Sequence, residues 1–392
     1  MMARLASLLL VLAGGLSTAL HAQEPWRASY FPYPFGSPSD GAMLVFRYQY
    51  TQNAPYFIEK QGEDVINPIT FRGALSAEAG IGTLGTRFAR LDFRGPGIAK
   101  GWRFNGSLVA ERRGRLGFYG FGGDLDAAGQ LADPNAHAYR VHRSRYQLRG
   151  EVTRQVVGPL SAALALSLEH TRFAPLEGAS DRFVSQFGSQ PNDRTDFLVR
   201  PALVFDTRDR EFTPGKGVLF EAGFGAGTAR SSWPGVTDDK SLYALGYVHL
   251  REYLSLREGT VVAWRVLYRA MEDAAPLAAR FRVPGWEGDF DLGGPKGHRS
   301  FPIGAVAGTS VEIASLDLRH DLLNAGDFGA VTLVGFVDWA SIGDNLGQPH
   351  DVNKLGGGAG IALRILRSAI LSFNFAAGPN GFNFSMGNGW AF

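Results

Sequence analysis

The last eleven residues read Phe382-Asn383-Phe384-Ser385-Met386-Gly387-Asn388-Gly389-Trp390-Ala391-Phe392. Phe382, Phe384, Met386, Trp390 and Phe392 alternate with Asn383, Ser385, Gly387 and Gly389, and Asn388 alone breaks the order. A strand with aromatic side chains on one face and small polar groups on the other suits a wall between lipid and a wet lumen. Upstream, Val331, Leu333, Gly335, Val337 and Trp339 alternate with Thr332, Val334, Phe336 and Asp338, giving one apolar and one mixed face. The same period of two recurs over 71–79, 86–94, 102–110, 218–224, 241–250 and 261–269. Arg87, Arg94, Arg103 and Arg265 sit among apolar neighbours, which a lumen tolerates and a dry two-sheet core does not.

Counted back from Phe392, strands fall near 381–392, 368–378, 353–364, 328–340, 308–320, 258–271, 241–254, 217–228, 195–206, 159–171, 140–153, 113–121, 101–110, 84–94, 69–79 and 42–50. That is about sixteen, the even number that brings both ends of a closed bacterial outer-membrane barrel to one side. Without 113–121 and 69–79 the count is fourteen. The expected fold class is all-β, a transmembrane antiparallel β-barrel. Its connections sort by side, with short turns at 80–83, 112–114 and 255–257 toward the termini and long loops at 51–68, 122–139, 172–194 and 272–307 opposite them. Each unpaired backbone group costs several kcal/mol in hydrocarbon, so strands cross a membrane only in a closed ring. An exported soluble all-β protein is the alternative.

Composition narrows the function. The 392 residues include no cysteine, which excludes a disulfide scaffold, a Cys-ligated metal site and a thiol nucleophile. The 39 Lys+Arg and 37 Asp+Glu nearly cancel and the basic residues are scattered, so a nucleic-acid partner is not expected. With 51 glycines and 19% charged residues, the chain is richer in glycine and poorer in charge than a soluble domain.

Met1 to Arg4 is a short basic start, Leu5 to Leu12 is apolar, and Leu20-His21-Ala22 ends on a small residue. Residues 1–22 therefore read as a cleaved signal peptide, too short in its apolar part to span a bilayer. Residues 23–41 interleave Pro25, Pro32, Pro34 and Pro38 with Trp26, Tyr30, Phe31, Tyr33 and Phe35, which predicts an extended leader ahead of a barrel over 42–392.

Several motifs in order suggest a family. Phe118-Tyr119-Gly120-Phe121-Gly122 comes first, then Phe205-Asp206-Thr207-Arg208-Asp209, then Gly293-Gly294-Pro295-Lys296-Gly297-His298-Arg299-Ser300-Phe301 inside the longest loop. Ala314-Ser315-Leu316-Asp317-Leu318-Arg319, Gly335-Phe336-Val337-Asp338-Trp339 and the glycine run from Gly356 to Gly360 follow. The set resembles the bacterial surface antigen family, the barrels of BamA and TamA type assembly and translocation proteins, over about 40–392. The resemblance implies that the sixth long loop folds into the lumen, where Arg299, followed by Phe301, reaches Asp317 and Asp338 on the next two strands. Ser300 stands where the family has glycine, and Asn374 where an aspartate is frequent. The residues agree on their own terms, since an arginine drawn from water needs a partner and two inward carboxylates on neighbouring strands suit a planar guanidinium.

Asp206, Arg208 and Asp209 form a motif expected in a turn on the side of the termini. Trp390 and Phe392 are read as a C-terminal assembly signal for the barrel assembly machinery that would insert this chain. No cofactor or metal is expected, because the histidines form no HExxH or His-x-His pair, and the absence of a Gly-x-Ser-x-Gly elbow argues against an esterase-type enzyme. The expected surroundings are outer-membrane lipid, with unfolded outer-membrane protein clients or a periplasmic partner in addition. The POTRA domains that BamA and TamA carry in the periplasm are not expected ahead of this barrel. The expected role is outer-membrane protein assembly, insertion or translocation; the alternative is a loop-plugged pore or a structural barrel.

Overall fold

A computed structural model describes residues 26–37, 39–53, 71–120, 137–176, 180–231, 240–325, 329–343, 352–365, 369–378 and 381–392. The expected signal peptide lies outside them. Among the described residues sixteen strands form one antiparallel sheet with each strand beside its successor. In chain order the first eleven are β1 (Arg27–Ser37), β2 (Gly41–Asn53), β3 (Phe71–Gly82), β4 (Arg87–Ala99), β5 (Trp102–Gly117), β6 (Arg140–Val157), β7 (Leu160–Pro175), β8 (Asn192–Asp206), β9 (Gly217–Ser231), β10 (Lys240–Arg257) and β11 (Thr260–Met271). A two-stranded hairpin within a loop supplies β12 (Arg282–Val283) and β13 (Phe290–Asp291). The large sheet resumes with β14 (Ser310–Asn324), β15 (Gly329–Gly343), β16 (Val352–Ile365), β17 (Ala369–Gly378) and β18 (Gly381–Asn388).

Alternation decides which way each side chain points. Leu148, Leu166, Leu168, Val248, Leu316 and Val337 are exposed on the outer wall. Arg149, Glu169, His249, Asp317 and Asp338, each one step out of phase with such a residue, are buried on the inner side. Inside-out polarity of this kind is stable only where the outside is hydrocarbon and the inside holds partners for the charges. No helix among the described residues is long and apolar enough to cross a membrane.

Two expectations about the first third of the chain are corrected, and they compensate. Arg27–Ser37 is no leader: it is the first strand, paired without a break from Arg27↔Thr51 to Ser37↔Gly41. Pro32 and Pro34 hid it, because proline withholds an N–H and reads as a breaker, yet an edge strand tolerates it. In the other direction, 101–110 and 113–121 are one strand, β5, with a register shift between Arg113 and Leu116 where a turn was expected. One strand missed and one invented leave the count at sixteen but reverse the four segments between them. The Gly82–Thr86 turn therefore lies opposite the termini, and β2 ends and β3 begins on the side of the termini.

The connection from β11 to β14, hereafter loop six, folds back into the barrel. Its helix Leu277–Arg280 and its Phe281 pack with Leu116, Phe118, Val141 and Phe173 of the wall and its edge. Val283, Leu292, Phe301 and Val306 pack on Leu267, Val311, Ile313, Ala340 and Ile342. Burial of this apolar surface drives the loop inward, and its polar backbone then has to be satisfied by the wall.

Candidate functional site

The centre of loop six is Arg299, whose side chain is 1% exposed. Its backbone N–H and Nε donate to Asp338 Oδ2 at 2.9 and 2.8 Å, and its Nη2 donates to Asp338 Oδ1 at 2.8 Å and Asp317 Oδ1 at 2.7 Å. The guanidinium also lies 3.7 Å from the centre of the Phe336 ring. Neighbouring strands β14 and β15 bring the two carboxylates together because both residues point inward. Burial would lower the Arg299 pKa, but Asp317 and Asp338 outweigh it and hold it above the ordinary value.

The residues around Arg299 shape the turn. Phe301 is fully buried and stacks on His298 with 4.3 Å between ring centres. Ser300 needs no left-handed backbone, since Ser180 is the one non-glycine residue at positive φ among the described residues. What Ser300 does need is space: a Cβ at Gly356 or Gly378 would come within 3 Å of its side chain. The glycines of β16 and β17 thus leave a recess for the seryl group. Asn374 faces inward and is buried without contributing to the Arg299 cluster, whereas Asn383 of β18 donates to the Arg299 carbonyl at 2.7 Å.

Three further anchors were not anticipated. Arg265 donates to the carbonyls of Lys296 and Gly297 at 2.6 and 2.7 Å. Trp286, at the far reach of the loop, donates its backbone N–H to Glu221 at 2.6 Å and its indole N–H to Thr153 at 2.9 Å, with Arg103 over its ring. Arg200 binds Asp289 at 2.8 Å and, with Arg149, the Gly285 carbonyl. Arg265 and Arg103 are lumen-compatible charges by their apolar neighbours; Arg149, Arg200 and Glu221 carry the same inward parity on β6, β8 and β9, and Trp286 and Asp289, lying between strands, carry no such signal.

The turn 207–216 meets the loop from the side of the termini. Arg208 donates to both carboxylate oxygens of Asp206 and lies 3.5 Å from Glu287 of loop six. Arg208, Arg94 and Arg103 hold the Glu287 carboxyl down to about 2 against the effect of burial. Asp209 stands apart and accepts the N–H groups of Gly215 and Lys216, shaping the turn. Glu211 pairs with Arg103, although burial pushes its carboxyl above the ordinary value.

Trp390 and Phe392 are placed otherwise than expected. The strand ends at Asn388, Gly389 takes φ +95°, and the last residues turn into the lumen instead of continuing along the lipid face. Arg319 lies 4.5 Å from the Trp390 ring and 5.2 Å from the Phe392 ring, and donates to the Phe392 carbonyl at 3.0 Å. Arg319 also donates to Asp317 at 2.9 Å, so Asp317 is shared by the loop-six arginine and the arginine that holds the tail.

A family model described as the Omp85 superfamily domain matches residues 72–390. Among solved structures the chain is similar to BamA from Haemophilus ducreyi lacking POTRA domains 1-3, at 16% identity and a TM-score of 0.51, over 94% of this chain and 70% of that one. It is also similar to CdiB from Escherichia coli, at 11% identity and a TM-score of 0.53, over 94% of this chain and 63% of that one. At such identities the likeness is one of fold. No curated protein matches the chain.

Proposed function

The chain belongs to the Omp85 superfamily, whose outer-membrane barrels are transporters and assembly factors rather than enzymes, and on that premise we propose that it guides unfolded outer-membrane protein strands at the seam between β1 and β18. The observation that carries this reading is the seam itself: β1 and β18 lie side by side without a shared ladder among the described residues. The ladder from β1 to β2 is continuous, so the N–H groups that Pro32 and Pro34 lack are missing from the edge toward β18. A wall closed there by few hydrogen bonds exposes an edge on which an incoming strand can pair. β18 has eight residues against eighteen in β6 and in β10, so little ladder is available even when the seam is shut.

Loop six then serves as an internal brace. Arg299 ties it to β14 and β15, and Asn383 ties it to the last strand, so the loop steadies the wall beside the seam. Residues 1–22 export the chain, and the surrounding lipid, the client and a periplasmic partner complete the system.

A cysteine pair linking β1 to β18 tests the reading in a chain that has no other cysteine. Oxidation is expected to block insertion of other barrel proteins and reduction to restore it. Normal insertion of other barrels after depletion of this protein would sink the proposal, and steady single-channel conductance in a bilayer would favour a pore.

A further inference from the structure

The outer wall is apolar over most of its height, but its rim opposite the termini is not neutral. Arg87 of β4, Arg112 of β5, Arg172 of β7, Arg230 of β9 and Lys240 of β10 are all exposed there and share the outward phase of Leu91, Leu108, Leu168, Phe224 and Leu242. Their register makes a row: Arg87 is directly across from Arg112, Arg112 from Ser144, Ser144 from Arg172, and Arg172 from Asp193. Arg230 faces Lys240 in the same way. Directly opposed like charges destabilise a sheet, so strand pairing gives no reason for the Arg87–Arg112 pair.

An anion at the rim does give one. The next outward position toward the midplane holds Ala110, Tyr146, His170 and Thr195, also in register. Tyr146 is 58% exposed and stacks on His170, as aromatic residues do at a membrane interface. The cations lie one step beyond that girdle, at headgroup depth, with leucines below them for acyl chains. The row includes one acid, Asp193 of β8, and beyond β10 the same rim carries Glu272, just past the end of β11, and Glu312 of β14. Guanidinium groups match phosphate oxygens in geometry as well as charge.

We propose that the outward rim of strands β4 to β10, built on Arg87, Arg112, Arg172, Arg230 and Lys240, binds phosphate-bearing lipid headgroups of the outer leaflet. The test uses the full chain in phosphatidylcholine nanodiscs doped with lipid A or with dephosphorylated lipid A, and lipid retention is read by native mass spectrometry. The wild-type chain is expected to retain lipid A roughly tenfold better than the dephosphorylated form. The triple variant Arg87→Ser, Arg112→Ser, Arg172→Ser is expected to lose that preference, while Arg154→Ser, on the opposite rim, keeps it. Should the triple variant fail to fold, the pair Arg230→Ser, Lys240→Ser is expected to weaken the preference in the same direction. Equal retention of both lipids by the wild-type chain, or an undiminished preference in a folded variant, overturns the proposal. Full displacement of lipid A by inorganic phosphate would reassign the row to free anions and overturn it as well.

Discussion

The backbone N–H and the Nε of Arg299 converge on one oxygen of Asp338, while Nη2 of the same guanidinium spans from Asp338 to Asp317. One residue thereby ties the loop by its main chain and its side chain to two adjacent strands. The arrangement needs a planar group with several donors, which lysine cannot supply.

Removing Arg299 leaves the buried Asp338 without its guanidinium partner and Asp317 with Arg319 alone, and breaking a buried pair in this way costs about 3–5 kcal/mol. Arg299→Ala is therefore expected to lower the temperature at which the folded form unfolds on a semi-native gel. Arg299→Lys should recover only part of the loss. Unchanged heat-modifiability in the alanine variant would remove the brace from the account.

Asp317 receives both Arg299 and Arg319, and Arg319 in turn holds the tail at Trp390 and Phe392. Groups that share a partner couple by roughly 0.5–3 kcal/mol. A double-mutant cycle on Arg299→Ala and Arg319→Ala should show such non-additivity in the unfolding midpoint. Simple additivity would mean that loop and tail are held independently.

Trp286 fixes the far reach of the loop through two hydrogen bonds and its ring. Trp286→Phe deletes the bond to Thr153 and is expected to cost about 1 kcal/mol, whereas Trp286→Ala empties a buried site and should cost about 3–5 kcal/mol. Limited proteolysis within loop six should follow the same order. Equal cleavage in both variants and the wild type would show that the loop stays in place without this anchor.

Two windows of pH dependence follow from the loop. Burial lowers the His298 pKa from 6.5, Asp338 only partly opposing it, so the unfolded chain takes up a proton first and stability falls as pH drops below about 6.5. Glu287, held at about 2 against an ordinary 4.5, contributes stability that is complete above 4.5 and lost as pH falls through about 2. His298→Phe should flatten the upper window and leave the lower one. Identical pH profiles for the variant and the wild type would exclude His298 as the upper titrating group.

The seam, the row on the outer rim and the brace differ in how far they could be read in advance. Arg299, Asp317 and Asp338 were legible because inward phase is a local property and the motif order along the chain resembles that of a known family. Trp286 with Glu221, Arg200 with Asp289 and Asn383 with Arg299 were not, since each pair is set by how deeply loop six reaches. Pro32 and Pro34 concealed a strand, because whether a proline breaks a strand depends on which edge it occupies. The bulge near Arg113 suggested a turn for the same reason: a local irregularity is closed by its neighbours or not.

By itself the sequence determined the inside-out alternation and the approximate strand count, whereas the grouping of Arg299 with Asp317 and Asp338 came from a resemblance in motif order. The first two follow from a period of two, which acts over a few residues. Only the tertiary structure decided that the sheet begins at β1 and brings it beside β18, that loop six crosses the lumen, and that Trp390 and Phe392 turn inward toward Arg319. Those outcomes depend on which distant groups a closed ring brings within hydrogen-bonding reach, and closure is a property of all sixteen described strands together.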